Sequence, residues 1–302
     1  MDGKNNDLKK DLRSRIQSFG FKDGTTQRVD IGDRVRISKP SRISKTNLKL
    51  IKKNSKPTQY EDLPPSLRED LSVVFIGFNP GIQSSLSQHH YAHHSNLFWK
   101  LFNQSGLVFT IEQVKKFIDD DDLFICKRIK KRIPDIDTYV VNELHSVYSS
   151  HFSADDDYEL LKVGIGFTDL VLRCTKTAAE LTIQEKLDNV PRLINELKES
   201  KPKFIVIVGK GIWECIVQYL HGKPLKLLEG GNFKWGLQSD IKDSTYKAVM
   251  DTLHSLLGYQ CSIHVFTNTS GLAASLKYHQ KLDQWTSLAS SIYREENHGN
   301  KI

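Results

Sequence analysis

Two stretches of this chain are apolar with almost no alternation. Ser72–Gly77 (SVVFIG) and Phe204–Val208 (FIVIV) are rich in β-branched residues and lack a polar residue at every second position. A strand with one wet face alternates; a continuous apolar run is buried on both faces and belongs to a parallel sheet covered by helices. The covers are visible between the strands. Thr182–Ser200 carries Ile183, Leu187, Val190, Leu193, Ile194 and Leu197 at helical spacing, closed by Lys201-Pro202. A second helix is expected over about 211–220. A third spans Ser275–Tyr293, with Leu276, Leu282, Trp285, Leu288, Ala289 and Ile292 as its apolar face. Asn96–Gln104 is a short helix stopped by Gly106, and Gly164–Leu172 and Ile263–Thr267 are further extended pieces. This order predicts an α/β fold, a three-layer α/β/α sandwich with a short, mainly parallel central sheet.

Charge divides the chain. The 302 residues carry a net charge of +7, which favours a polyanionic partner. Residues 1–60 hold sixteen Lys or Arg against six Asp and no Glu, with Phe19, Phe21 and Tyr60 as their only aromatic residues. Such a segment cannot bury enough surface to fold alone, and it reads as a basic arm that grips phosphates without sequence preference. A folded domain is expected over 61–295 and a tail over 296–302. The pattern is poor between Ile111 and Leu161, where an acidic run (Asp119–Asp122), a basic run (Lys127–Arg132) and Asp155–Asp157 suggest a solvated insertion outside the sheet. Cys126, Cys174, Cys215 and Cys261 are scattered with no CxxC, as in a reduced intracellular protein without a zinc module. No secretory or membrane-length apolar run is present.

The chemistry gathers after the first strand. Gly77 ends it, and Phe78-Asn79-Pro80-Gly81 turns the chain at the edge where open α/β sheets bind ligands. Pro80 pushes Asn79 towards an extended conformation, and Gly81 admits a close backbone approach. A neutral amide accepts from water and donates to a base edge; an N-P dipeptide is also a common plain turn. Tyr91 can stack on a flat ligand or sit half-buried in the core. The pairs His89/His93 and His90/His94 have helical metal-ligand spacing, but no carboxylate lies among them; packing or phosphate contact suits them better. In His264–Leu272 (HVFTNTSGL) a strand ends in a small polar loop tipped by Leu272. That tip could be a wedge for a base stack, or the loop a turn capped by Ser270.

Taken together, GFNPG, HHYAH and NLFWK resemble the first motif of the mismatch-specific uracil/thymine DNA glycosylase family. VGIGFTDLVLRCTKTAAEL resembles its GxGxT-x-L/M-V-x-R-x-T stretch, IVIVGKGIWE its third strand and following helix, and NTSGLAAS its NPSGLSR loop. The resemblance covers about 71–106 and 164–292, in the family's order. It implies a uracil-DNA glycosylase-like fold and an enzyme that flips a nucleotide out of double-stranded DNA and hydrolyses its N-glycosidic bond. Uracil opposite guanine is the expected substrate, with thymine released less efficiently, as the first step of base excision repair. Asn79 is then the catalytic residue that positions water. Phe78, Gly81, Ser84 and Tyr91 bind the base, with Ser84 facing carbon 5. Asn268, Ser270, Gly271 and Leu272 form the loop and wedge, and His90 and Lys277 touch the DNA backbone. No metal or organic cofactor is implied, nor any membrane. A monomer in the nucleus is expected, with downstream repair proteins as further partners. The chain departs from the family at Thr269 and Ala274, which stand where the loop has proline and arginine; losing that cation weakens the grip on the product and on the opposite guanine. Two alternatives compete. A non-catalytic DNA-binding module would keep the fold without turnover, and a nucleotide-hydrolysing α/β enzyme would need a phosphate-binding glycine motif that the chain lacks.

Overall fold

In the computed structural model the described residues are 60–115, 151–228, 233–271 and 276–299. The basic arm, apart from Tyr60, and the charged runs at 119–122 and 127–132 lie outside them. Five strands form one sheet: β1 (Val73–Gly77), β2 (Ile165–Asp169), β3 (Phe204–Val208), β4 (Gly236–Leu237) and β5 (Ser262–Phe266). Their order is β2-β1-β3-β5-β4, and only the short edge strand β4 runs antiparallel. Every residue of β1, β2 and β3 is buried, as unalternating apolar runs require.

Side chains divide by strand parity. Val74, Ile76, Ile205, Ile207, Ile263 and Val265 face one way; Val73, Phe75, Ile165, Phe167, Phe204, Val206, Val208 and Phe266 face the other. The first face is covered by α5 (Val190–Ser200), α6 (Lys210–His221) and α7 (Ser244–Leu257), preceded by the short α4 (Ile183–Asp188). The second is covered by α2 (Phe98–Gln104), α3 (Leu107–Lys115) and α8 (Tyr278–Gly299); a short α1 (Ile82–Ser87) follows β1. The result is the three-layer α/β/α sandwich.

Some boundaries differ from those the sequence suggests. The helix expected over Thr182–Ser200 is two helices, because Pro191 starts a new one at its first turn and has no N–H to continue the old. The last helix begins at Tyr278 rather than Ser275. Helix α7 was not anticipated, although Asp243 caps it by accepting from Tyr246 N and its buried face repeats at Tyr246, Val249, Met250, Leu253 and Leu257. The margins of the region read as an insertion belong to the core: Ile111, Phe152 and Leu160 are buried.

Candidate active site

Strands β1 and β3 are neighbours whose chains leave in opposite directions, β1 towards β2 and β3 towards β5. A crevice opens at such a switch point, outside the carboxyl ends of the strands. Here it is a cleft of about 260 Å³, lined by the β1 exit (Phe78 to Gly81, Ser84), Tyr91, His93 and Asn96, the β2 exit (Asp169, Lys176 to Ala178), Val208 of β3, and Asn268 to Ser270 after β5. All four parallel strands contribute, so residues far apart in sequence meet there.

Asn79 is held firmly. Its Nδ2 donates to Thr175 Oγ1 (2.7 Å), Arg173 O (3.1 Å) and Pro80 O (3.3 Å). Thr175 is itself fixed, since its hydroxyl donates to Thr177 O at 2.9 Å. With the amide nitrogen occupied, Oδ1 is the atom left to accept from a water or a substrate hydroxyl. The backbone braces the same spot: Leu170 and Val171 N donate to the carbonyls of Gly77 and Phe78, and Thr175 N to that of Pro80.

Tyr91 forms one wall. Its ring stacks on Phe98 with centroids 3.8 Å apart and planes at 5°, leaving one face for a ligand. It adopts φ = 55°, left-handed backbone that a tyrosine takes only under constraint. Part of that constraint is Ser84, whose Oγ accepts from Ala92 N at 3.2 Å. The rest is Asp157, a fully buried carboxylate that accepts from His90 N (2.8 Å) and pairs with His90 Nδ1 and His89 Nδ1 (both 2.7 Å). Burial alone would raise the Asp157 carboxyl, but hydrogen bonds from the side chain and backbone of His90, and from His89, hold it below its usual range.

That arrangement corrects the expectation for His90. Its ring is 2% exposed, stacked on Phe167 and tied to Asp157, so it is packed inside and does not offer itself to a DNA phosphate. The Asp155–Asp157 run is likewise no solvated face, since Asp156 and Asp157 are both buried. Ser84 lines the cleft, but its hydroxyl is engaged with the backbone. Phe78 turns to the opposite side of the sheet, under the Lys186 ammonium at 5.1 Å. Gly81 leads into α1, where a Cβ would meet nothing within 4 Å.

The loop after β5 is anchored from below. Lys281, 2% exposed, donates from Nζ to Asn268 O at 2.7 Å, and burial lowers its pKa. Leu97 N donates to Thr269 O, Ser270 N donates to Asn268 Oδ1, and a Cβ on Gly271 would stand 2.8 Å from Ser95 Oγ, so only glycine fits against that wall. Ser270 faces the cleft and does not cap the following helix, which starts eight residues later. Leu272 and Ala274 lie outside the described residues. Lys277 is exposed. Among the described residues no group of three His, Cys, Asp or Glu is placed to hold a metal.

One residue was missed altogether. Asp169, the carboxyl end of β2, is 6% exposed yet lines the cleft. Burial pushes its carboxyl up to about 6; the neighbouring His90 ring and Arg192 guanidinium oppose that shift and Glu196 reinforces it. In the sequence it is one aspartate inside GFTDLV, with no local mark to separate it from a strand-ending residue.

A parallel sheet whose carboxyl edge carries a fixed amide, an aromatic wall and a small loop from its last parallel strand defines an α/β protein with a site sized for a planar ring. The family model for the uracil DNA glycosylase superfamily matches residues 64–286, and the chain belongs to that superfamily. It is also similar to a G/U mismatch-specific uracil DNA glycosylase of Schizosaccharomyces pombe, 26% identical over 289 residues that cover 94% of this chain and 69% of that protein.

Proposed function

We propose that the protein is a DNA glycosylase that excises uracil, and more slowly thymine, mispaired with guanine in double-stranded DNA. The observation that carries this reading is the Asn79 amide, locked by Thr175 and Arg173 at the rim of a cleft walled by Tyr91. The flipped base lies on the open face of Tyr91, and the loop around Asn268–Gly271 faces the gap it leaves. Asn79 Oδ1 orients a water towards C1′ of the sugar. As the N-glycosidic bond stretches, positive charge grows on the sugar and negative charge on the base. An amide carries no charge of its own and is no strong base, so it positions the water without activating it. Most of the rate then comes from how well the base supports a negative charge, which favours uracil over cytosine. Backbone N–H groups of Phe78, Gly81 and Tyr91 would steady that charge, as the family resemblance implies. Ser84, with its hydroxyl turned to Ala92 N, presents a small side chain to carbon 5 and leaves limited room for thymine's methyl group.

Base release from labelled duplexes carrying G·U, G·T, A·U and from single-stranded uracil, with wild type beside Asn79→Ala, tests the reading. Release from G·U that the variant loses by about 100-fold or more supports it, at the scale of one transition-state contact. Binding to all four without release favours the non-catalytic DNA-binding module.

A further inference from the structure

The Asn79 turn is braced from outside the cleft. Asn79 Nδ2 donates to three oxygens that accept: the carbonyls of Arg173 and Pro80, and Thr175 Oγ1, whose own proton goes to Thr177 O. Those acceptors decide which way round the amide lies, and they leave Oδ1 for the water. Two of the three come from the β2 exit. There Leu63 N donates to Leu172 O, Thr175 N donates to Pro80 O, and the Arg173 carbonyl lies between these ties. The Arg173 side chain, outside the cleft lining, makes a two-pronged pair with Glu185 of α4: Nε donates to Oε1 at 2.7 Å and Nη2 to Oε2 at 3.0 Å.

Helix α4 has little apolar anchorage. None of its residues is buried, Ile183 is 53% exposed, and Leu187 leans half-buried on the aliphatic core. It reaches the Asn79 turn through two neighbouring side chains. Glu185 holds Arg173, and Lys186 places its ammonium 5.1 Å from the ring centre of Phe78, the residue before Asn79. A cavity of about 410 Å³ lies against that ring, lined by Ile183 and Lys186 of α4 and by Gly211, Glu214 and Cys215 of α6. Packing behind the turn is therefore open, and directed polar contacts set its place. Glu185 is itself oriented, since its N–H donates to Thr182 Oγ1 at 3.1 Å and its carbonyl accepts from Asn189 Nδ2 at 2.8 Å. Hydrogen bonding to Glu185 raises the Arg173 pKa, and the charges of Glu180 and Asp62 add to the rise. Those two carboxylates would draw the guanidinium aside once Glu185 is gone.

Resting on the glycosylase reading, we propose that Glu185 is a positioning residue for base release: by pinning Arg173 it fixes the carbonyl that orients the Asn79 amide, and so the water that Asn79 Oδ1 holds. Glu185 touches neither substrate nor water. The pair it makes is partly exposed, with side chains 48% and 28% accessible, and such pairs add little to stability. Its effect falls on rate because a small displacement of a positioned group is enough to slow a reaction.

Single-turnover release of uracil from a G·U duplex, followed over a range of enzyme concentrations, tests this with wild type, Glu185→Ala, Glu185→Gln and Glu69→Ala. The maximal rate should fall about tenfold in Glu185→Ala, while the enzyme concentration giving half that rate stays within about twofold. Glu185→Gln keeps one acceptor for Arg173 and should fall between wild type and Glu185→Ala. Glu69→Ala breaks an exposed pair with Lys201, far along the chain from the turn, and should keep the wild-type rate. Thermal melts of all three variants should stay within about 4 °C of wild type. A merely electrostatic role predicts the opposite sign, since removing an acid near a polyanion tightens binding, and it predicts equal effects for Glu185→Ala and Glu185→Gln. Either of those results overturns the proposal, as does a wild-type maximal rate in Glu185→Ala or a rate loss matched by a large drop in melting temperature. Each of these outcomes leaves the glycosylase reading standing; no release from wild type ends both.

Discussion

The two faces of the sheet are built from different materials. One is aliphatic: Val74, Ile76, Ile205, Ile207, Ile263 and Val265 pack against Leu193, Leu197, Ile212, Ile216 and Leu253. Its few polar groups are satisfied in a closed chain, with Trp213 Nε1 donating to the Tyr246 hydroxyl and that hydroxyl donating to Gln238 Oε1. The other is aromatic. Phe75, Phe98, Phe102, Phe167 and Trp285 pack with ring centroids 5.0–6.4 Å apart. This second face runs directly into the cleft, through Phe98 under Tyr91 and Phe167 under His90. It also holds unpaired polar atoms: Tyr91 Oη, His90 Nε2 and Trp285 Nε1. One face stabilises the fold, and the other in addition supports the site. Flat, stiff rings hold a wall at fixed orientation more rigidly than rotameric aliphatic chains do.

Substitutions on each side separate these roles. The largest effect is expected from Phe98→Ala, which removes the ring touching Tyr91, Phe75, Trp99, Phe102, Phe167 and Trp285. Denaturant unfolding should show a loss of about 3–5 kcal/mol, and base release should fall even in the folded fraction. Leu253→Ala on the aliphatic face should cost about 2–5 kcal/mol while uracil release per folded molecule stays at the wild-type rate. Equal activity losses in the two variants would erase the distinction.

Asp157→Ala strands His89 and His90 beneath the Tyr91 loop. Stability should drop by about 1–3 kcal/mol, and KM for the duplex should rise more than kcat falls. Its folded pKa lies below the unfolded value, so this contribution is present above that unfolded value, near 4, and disappears as pH falls through the depressed folded one. Asp169 has the opposite sign. Its folded value is raised from 3.8 to about 6, so the carboxyl favours the native state below 4 and costs stability as pH rises towards 6. Asp169→Asn should therefore stabilise the fold at pH 7.5 by on the order of 2 kcal/mol, a gain that thermal melts should lose below pH 4. The smallest change is Ile207→Val in the aliphatic layer, about 0.5–1.5 kcal/mol with no effect on uracil release.

Much of the fold was legible because its signals are local. Unalternating runs at 73–77 and 204–208 need covers on both faces whatever surrounds them, and helical spacing shows which residues supply those covers. The Asn79 turn was legible for the same reason, since Pro80 and the strand before it constrain the backbone over three residues. The break at Pro191 and helix α7 carried equally local marks, in a proline and in a capped periodic face. The site's other half has no such mark. Asp157 is a buried anchor only because two histidines 67 and 68 residues away reach it, and Asp169 enters the cleft only because Gly77 on the neighbouring strand has no side chain. Burial and charge state depend on what packs against a residue across the sheet, and spacing along the chain does not encode that. Patterns along the chain specify the sheet, its covers and the amide at its edge; packing across the sheet specifies which carboxyl lines the cleft and which histidine stays inside.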